Sequence, residues 1–196
     1  MEIAVPSSQT IVPGDSFNLT LVVHGGVPPY IWSLFEGELP PGIKLQSHKG
    51  VLSGVPTTPG EYHFKLAVSD SSAPHQEVQC DLTIIVVAGV TIDWKQPPSV
   101  HGNTISGSVV VTNQTGHTID LTLIVVAVNN IGRATALGYQ HISLAAQESS
   151  PDIPFGSSPG LGTYFVRADA AAHQKNGHYI YRASKQTSNN LEVKHH

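Results

Sequence analysis

Apolar side chains alternate with polar ones through most of this 196-residue chain, and this period of two constrains the fold more than any other feature. Helical spacing, in which apolar residues recur at i, i+3, i+4 and i+7, does not persist. The alternating segments are separated by clusters of Gly, Pro, Asn and Ser, which favour turns. Because successive side chains of a strand point to opposite faces of a sheet, the pattern predicts an all-β protein.

The length of the chain favours two domains, because β-sandwich domains contain about 100 residues. Only Ala88-Gly89 separates the last strand of the first half from the strand that follows. We place one sandwich at residues 1–88 and a second at residues 89–187. Residues 188–196 are interpreted as a linker and expression-tag remnant, since their end resembles a cloning scar followed by the start of a His tag.

Alternation also predicts individual strands of the first half. Residues 17–23 form one strand with its apolar set facing a core. Trp32 belongs to the next strand, at the kind of position that fills the centre of a sandwich. Residues 62–68 and 80–86 alternate over similar lengths and are predicted to pair as a hairpin. The lone Cys80 alternates with polar neighbours, so we expect an inward-facing, buried thiol and a monomeric chain without an internal disulfide.

The second half contains two further predicted hairpins. Residues 105–111 and 119–127 alternate on either side of a turn at residues 113–116. Residues 164–169 and 178–183 form the closing pair, around a turn in which Asn-Gly favours positive φ.

Each half carries the same short motif at the start of its penultimate long strand. The motif is Gly60-Glu61-Tyr62 in the first half and Gly162-Thr163-Tyr164 in the second, 102 residues later. It resembles the corner in which a Tyr hydroxyl bonds back to the backbone a few residues upstream. We therefore expect both tyrosines to make such a bond.

Motifs of the first half carry a resemblance to a known family. They are, in order, Gly26-Val27-Pro28-Pro29-Tyr30-Ile31-Trp32-Ser33, Leu39-Pro40-Pro41-Gly42-Ile43, Gly50-Val51-Leu52-Ser53-Gly54-Val55-Pro56, Pro59-Gly60-Glu61-Tyr62-His63-Phe64 and Val68-Ser69-Asp70. Over residues 3–88 the chain resembles the bacterial "putative Ig" domain, which is related to cadherin-like domains. The second half broadly resembles immunoglobulin or fibronectin type III domains. Together these resemblances imply two tandem immunoglobulin-like β-sandwich domains.

The resemblance implies a spacer or adhesion module of secreted and cell-surface proteins, and it implies no chemistry. Calcium-binding cadherin relatives carry acidic clusters at their domain junctions. The corresponding segment here, Val86-Val87-Ala88-Gly89, has no acidic residue. At this junction the sequence therefore departs from the pattern of the calcium-binding relatives, and the residues do not decide whether calcium binds there.

The sequence gives no support for catalysis or for a metal centre. Ser157 and Ser158 have no neighbouring His with an orienting acid, as nucleophilic catalysis requires. The closest His pair, His173 and His178, flanks a predicted turn and lacks the clustered spacing of a zinc site. We expect no catalytic residue, no cofactor and no metal.

Composition argues against two kinds of partner. Charged residues make up 12% of the chain, and its formal net charge is -4. A general nucleic-acid binder needs a stripe of Lys and Arg, which this sequence lacks. The longest apolar runs, 82–92 and 121–128, are shorter than the roughly 20 residues of a membrane helix. We expect no nucleic-acid partner and no membrane insertion by this chain.

Aromatic residues supply the candidate binding residues, Tyr179 and Tyr181. On one strand their side chains share a face, where two rings about 7 Å apart could stack on a glycan or a protein partner. The other interpretation is packing in a core or at a domain interface. The sequon at Asn113-Gln114-Thr115 is too common a triplet to decide between functions.

We therefore expect a non-catalytic structural or adhesion module of a larger secreted or cell-surface bacterial protein. It would act as a spacer or protein-interaction domain, with a protein or glycan partner at the cell surface. The alternative is a carbohydrate-binding accessory module of an extracellular enzyme. The residues from Ile3 onward have neither the basic nor the apolar region of a signal peptide, so we expect a signal for export to have preceded them.

Overall fold

The computed structural model describes residues 1–174 and 179–194, and the regular structure of these residues is entirely β, as alternation predicts. The chain divides into two compact units, Met1–Val87 and Ala88–His196. Among the described residues, no helix is long and apolar enough to cross a membrane.

The first unit consists of strands joined by turns rich in Gly and Pro. The strands are β1 (Glu2–Ala4), β2 (Ser8–Ile11), β3 (Phe17–Thr20), β4 (Val22–His24), β5 (Ile31–Gly37), β6 (Ile43–Gln46), β7 (Val51–Gly54), β8 (Gly60–Ser69) and β9 (Glu77–Val86). One sheet has the order β2-β9-β8-β5, another has the order β3-β7-β6, and β1 pairs with β4. The predicted hairpin of residues 62–68 and 80–86 is confirmed as the antiparallel pair β8–β9.

Apolar side chains from these sheets form one core. Trp32 on β5 is buried, as predicted, and it packs in a cluster with Leu52 of β7 and Leu66 of β8. Cys80 lies half-buried at the margin of the same cluster. Burial raises the pKa of the Cys80 thiol, with a further contribution from the neighbouring Asp81 carboxylate.

Residues 17–23 form two strands where alternation predicts one. β3 pairs with β7, whereas β4 pairs with β1. Between them Leu21 is buried, and its N–H donates to the Gly50 carbonyl oxygen at 2.7 Å. Alternation continues through this change of partner, so the sequence pattern does not reveal it.

The second unit contains longer strands. They are β10 (Val90–His101), β11 (Thr104–Asn113), β12 (Ile119–Asn129), β13 (Ala134–Leu144), β14 (Ile153–Ser157), β15 (Gly162–Gln174), β16 (Ile180–Gln186) and β17 (Leu191–Val193). One sheet has the order β10-β11-β14, and the other has the order β13-β12-β15-β16 with β17 also paired to β15. The closing hairpin is confirmed as β15–β16, and residues 175–177 of its predicted turn at 174–177 lie outside the described residues.

The turn after β11 leads into the other sheet, so the predicted hairpin of 105–111 with 119–127 is wrong. β11 pairs with β10 and β14, whereas β12 pairs with β13 and β15. Val109 and Leu123 are both buried, as alternation requires. Strands that oppose each other across a core show the same alternation as strands that are neighbours in one sheet.

The end of the chain also differs from expectation. Residues 188–196 are expected to be a linker and tag remnant, but Leu191–Val193 forms strand β17. Val193 is 2% exposed and is paired with Gly162. Alternation along this triplet turns Val193 inward. The strand pairs with the start of β15, where Leu191 lies opposite Tyr164.

Both predicted tyrosine corners are confirmed. The Tyr62 hydroxyl donates to the carbonyl oxygen of Thr58 at 3.1 Å. The Tyr164 hydroxyl donates to the carbonyl oxygen of Pro159 at 3.0 Å. These bonds span only four and five residues, so the local sequence is sufficient to predict them.

Candidate functional site

The two predicted binding residues lie close together but differ in exposure. The ring centroids of Tyr179 and Tyr181 are 5.0 Å apart, and the ring planes are tilted by 57°. Tyr181 is 2% exposed, while Tyr179 is half-buried. Alternation along β16 turns Tyr181 inward and leaves Ile180 on the outer face, 54% exposed. Tyr181 therefore packs inside the second unit.

Gly89 makes room for the Tyr181 ring. A Cβ at Gly89 would lie 2.3 Å from Cδ1 of Tyr181, which is closer than a side chain can approach. The backbone before β10 can pass this close to the ring because Gly89 carries no side chain. Nε2 of Gln174 donates to the Tyr181 hydroxyl at 3.4 Å. Alternation predicts a shared face for the two tyrosines, but it gives no indication that this face meets Gly89.

A surface pocket of about 380 Å³ lies beside Trp94 in the same unit. Trp94, Pro97 and Pro98 of β10 form one wall. Two register shifts interrupt the pairing of β10 with β11, between Trp94 and Gln96 and between Gln96 and Ser99. Bulges of this kind bend a strand and redirect its side chains.

The rest of the lining comes from the end of β16, the turn into β17, and Leu191 of β17 itself. Gln186, Ser188 and Asn189 line this side of the pocket. Much of this turn falls in the segment that sequence reasoning interprets as a linker. The signal that could have identified it is the Ser188-Asn189-Asn190 turn followed by an alternating triplet.

The Trp94 ring packs against the ring of Phe155. Their centroids are 5.9 Å apart, with planes at 58°, and Phe155 is 6% exposed. Gly107 leaves the space that Phe155 occupies, because a Cβ at Gly107 would lie 2.7 Å from Cζ of Phe155. Packing therefore restricts the orientation of the indole.

Charges at the rim of the pocket are paired. Nζ of Lys185, which lines the pocket, donates to Oδ1 of Asp93 at 3.0 Å. Both side chains are partly exposed, so this pair contributes little to stability. Its effect is to leave the pocket without an excess of either charge.

A second, more open depression of about 510 Å³ lies on the outer face of the sheet that contains β12, β15 and β16. The small side chain of Ala171 lines this depression together with the larger side chains of Ile124 and Arg182. Arg167 Nε donates to Asp169 Oδ2 at 2.7 Å along one side. Sequence reasoning did not single out this surface.

Asp70 joins two loops at one end of the first unit. The carboxylate is 4% exposed. It accepts hydrogen bonds from the N–H groups of Val27 and Gln76 and from both the N–H and the hydroxyl of Ser72. The Ser72 hydroxyl and these backbone donors hold the pKa of Asp70 well below its ordinary value of 3.8. One ionised side chain thus fixes the shape of two neighbouring loops.

Asn113 ends β11 in the second unit, where the chain crosses from one sheet to the other. Its Oδ1 accepts from the N–H of Thr115 at 2.9 Å and from the Thr115 hydroxyl at 2.7 Å. Its Nδ2 donates to the carbonyl oxygens of His117 at 2.8 Å and Ala145 at 2.7 Å. Asn113 is 0% exposed, so this sequon asparagine is inaccessible to glycosylation in the folded unit.

Among residues 1–174 and 179–194, no group of three or more His, Cys, Asp and Glu side chains is arranged to hold a metal ion. His173 is exposed on β15, and His178 of the same predicted pair lies outside the described residues.

Comparison with known families identifies the first unit. Residues 2–87 match the family described as "Putative Ig domain". The first unit belongs to this immunoglobulin-like family. The match covers the motifs from which the resemblance was predicted, and the family assignment agrees with the β-sandwich architecture of Met1–Val87.

Several solved structures that align with the chain belong to much longer proteins. A putative alpha-galactosidase from Bacteroides fragilis aligns at 27% identity and TM-score 0.36, over 43% of this chain and 17% of that one. Alpha-2-macroglobulin from E. coli aligns at 17% identity and TM-score 0.42, over 77% and 9%. Dimeric latent PorU from Porphyromonas gingivalis aligns at 15% identity and TM-score 0.35, over 97% and 19%. The chain spans less than one fifth of each of these proteins. No curated protein gives a significant match.

Proposed function

We propose that this chain is a non-catalytic spacer and adhesion module of a larger secreted or cell-surface bacterial protein. The observation that carries the proposal is the parallel pairing of β2 with β9 in the first unit. β2 lies near the beginning of that unit and β9 ends next to its last residue, Val87. A spacer must withstand tension between its two ends, and this pairing connects the segments that tension would load.

The geometry of a parallel pair makes it resistant to such a load. When the ends of the first unit are pulled apart, β2 and β9 are drawn in opposite directions along their length. The hydrogen bonds between them are loaded together in shear, because each lies across the direction of sliding. At the limits of the ladder, Thr83 N–H donates to Ser7 O at 3.0 Å and Val87 N–H donates to Ile11 O at 2.9 Å.

Loops of the first unit that are held in place by side-chain hydrogen bonds support the adhesion part of the proposal. Asp70 fixes the loops that contain Val27 and Gln76, and Tyr62 ties its own corner to Thr58. Loops held in one conformation lose less entropy when a partner binds them. The first unit therefore combines a tension-bearing strand pair with preorganised surface loops.

The other expected function, a carbohydrate-binding accessory module, has less support from Tyr179 and Tyr181. A ring that stacks on a glycan has to present a face to solvent. Tyr181 is 2% exposed, so only the half-buried Tyr179 has ring surface to offer.

Single-molecule force spectroscopy on the full chain tests the spacer function, with Gln9→Pro as the perturbing variant. Ser7 and Ile11 both turn their carbonyl groups toward β9, and strand geometry gives Gln9 between them the same direction. Proline at position 9 removes an N–H that faces β9. We expect Gln9→Pro to lower the unfolding force of the first unit.

Thr10→Pro is the matched control, since β2 is the edge strand of its sheet and the Thr10 N–H faces away from β9. Proline is tolerated at such edge positions. The two units are distinguished by the chain length that each releases, about 300 Å for residues 1–87 and about 380 Å for residues 88–196. Equal unfolding forces for the first unit in the unchanged chain and in Gln9→Pro would refute the proposed role of β2–β9.

A further inference from the structure

We propose that the pocket beside Trp94 binds a neutral carbohydrate. The proposal goes beyond the spacer function and does not depend on it, because the pocket belongs to the second unit and the strand pair that bears tension belongs to the first. The ligand class follows from three features of the pocket: apolar lining by Trp94 and two prolines, polar side chains from the turn after β16, and a lining lysine whose charge is paired.

The apolar lining matches one side of a sugar ring. A pyranose exposes C–H groups on its face, and these groups pack favourably against the electron-rich face of an indole. Trp94 is half-buried and lines the pocket together with Pro97 and Pro98. The pocket volume of about 380 Å³ falls within the range of about 300–1,000 Å³ that is typical of small-molecule sites.

The polar side chains of the pocket are complementary to the hydroxyl groups at the edge of a sugar ring. The hydroxyl groups of a sugar both donate and accept hydrogen bonds, and so do the amide of Asn189, the amide of Gln186 and the hydroxyl of Ser188. Within residues 1–174 and 179–194, these three side chains make no hydrogen bond to other protein groups. They are exposed, so a ligand can replace the water bound to them without breaking a bond within the protein.

Paired charge favours a neutral ligand over an ionic one. The Lys185 ammonium group is matched by the Asp93 carboxylate 3.0 Å away. An anionic sugar would gain attraction from Lys185 but would meet repulsion from Asp93. A neutral sugar can hydrogen-bond to this pair without separating its charges.

Both parts of the lining are fixed before a ligand arrives. Phe155 supports the Trp94 ring from behind. On the other side, Thr187 N–H donates to Val166 O at 2.9 Å, and the Thr187 hydroxyl accepts from Val166 N–H at 3.1 Å. These two bonds anchor the turn that carries Ser188 and Asn189. A site built in advance avoids part of the entropic cost of binding.

Titration of the full chain with neutral sugars tests the proposal. The probes are D-glucose, D-galactose, D-mannose, D-xylose and N-acetyl-D-glucosamine, together with their linear oligomers. Trp94 fluorescence is the readout, in a Trp32→Phe background so that the signal comes from the pocket. We expect a saturable change with at least one probe.

Three variants locate the site. Asn189→Ala alters an exposed turn residue, so the unit is expected to fold, and the loss of a ligand hydrogen bond should weaken binding by about fivefold to tenfold. Asn103→Ala, in the exposed turn between β10 and β11, is the matched control and should leave the affinity unchanged. Tyr179→Ala should also leave it unchanged, which separates this pocket from the tyrosine pair.

The outcomes separate the possibilities. Saturable binding that is weakened by Asn189→Ala and unaffected by Asn103→Ala supports the site. The absence of a response to every probe would overturn it, and so would an affinity that Asn189→Ala does not change. Binding of a proline-rich peptide in place of every sugar would also overturn it, because the apolar lining would then serve a different ligand. None of these results bears on the unfolding force of the first unit.

Discussion

Replacement of Asn113 by Ala should strongly destabilise the second unit. The amide is 0% exposed and joins the end of β11 to two other segments. After truncation, the buried N–H of Thr115 and the part-buried carbonyl oxygen of Ala145 lose their Asn113 partner. The His117 carbonyl keeps a second donor, the Thr115 hydroxyl at 2.9 Å. The buried N–H of Thr115 is therefore left without its bond, whereas the carbonyl of Ala145 belongs to an exposed residue and can bond to water.

The expected magnitude follows from those two groups. A buried polar group that loses its partner costs about 1–3 kcal/mol and an ordinary lost hydrogen bond about 1 kcal/mol, so Asn113→Ala should lower the free energy of unfolding by about 3 kcal/mol. A typical domain is stable by only about 5–15 kcal/mol. Asn113→Ala should therefore remove a large part of the stability of the second unit.

Urea denaturation followed by Trp fluorescence measures the effect. The two tryptophans lie in different units, so a Trp32→Phe background leaves Trp94 to report on the second unit. Asn103→Ala, at an exposed turn position, should change the free energy of unfolding by less than about 0.5 kcal/mol. A loss below about 1 kcal/mol in Asn113→Ala would refute the reasoning, because one buried polar group without a hydrogen-bond partner already costs that much.

Two further predictions concern the tyrosine corner and the buried carboxylate. Tyr164→Phe should destabilise the second unit by about 1 kcal/mol, the usual net contribution of one hydrogen bond. Tyr62→Phe should cost the first unit less, because its bond is more exposed; equal or reversed effects in urea denaturation would contradict this order. The pKa of Asp70 is lowered in the folded state, so its contribution to stability is present above the ordinary value of 3.8 and is lost as the pH falls toward the folded-state value. Asp70→Asn should destabilise the first unit at pH 7, by Trp32 fluorescence in a Trp94→Phe background, and its deficit should shrink below about pH 4. The exposed Asp81→Asn is the control, and a deficit for Asp70→Asn that does not vary with pH would contradict the role of the ionised carboxylate.

Local sequence was sufficient wherever the structure depends on neighbours along the chain. Alternation correctly predicts the all-β class, the buried position of Trp32 and the β8–β9 hairpin, because the two faces of a strand differ at every second residue. The tyrosine corners are predictable for the same reason, since each hydroxyl bonds to a carbonyl four or five residues upstream.

Only the tertiary structure determined which surfaces meet. Alternation gives β11 and β12 one apolar face each, but it does not state whether the strands are neighbours or oppose each other across a core. It places Tyr179 and Tyr181 on one face, but the burial of Tyr181 depends on Gly89, which is about 90 residues away in sequence. The pocket beside Trp94 likewise joins β10 to a turn near residue 189. A period of two encodes the faces of a strand, whereas the partner of each face is set by pairing and packing between distant segments.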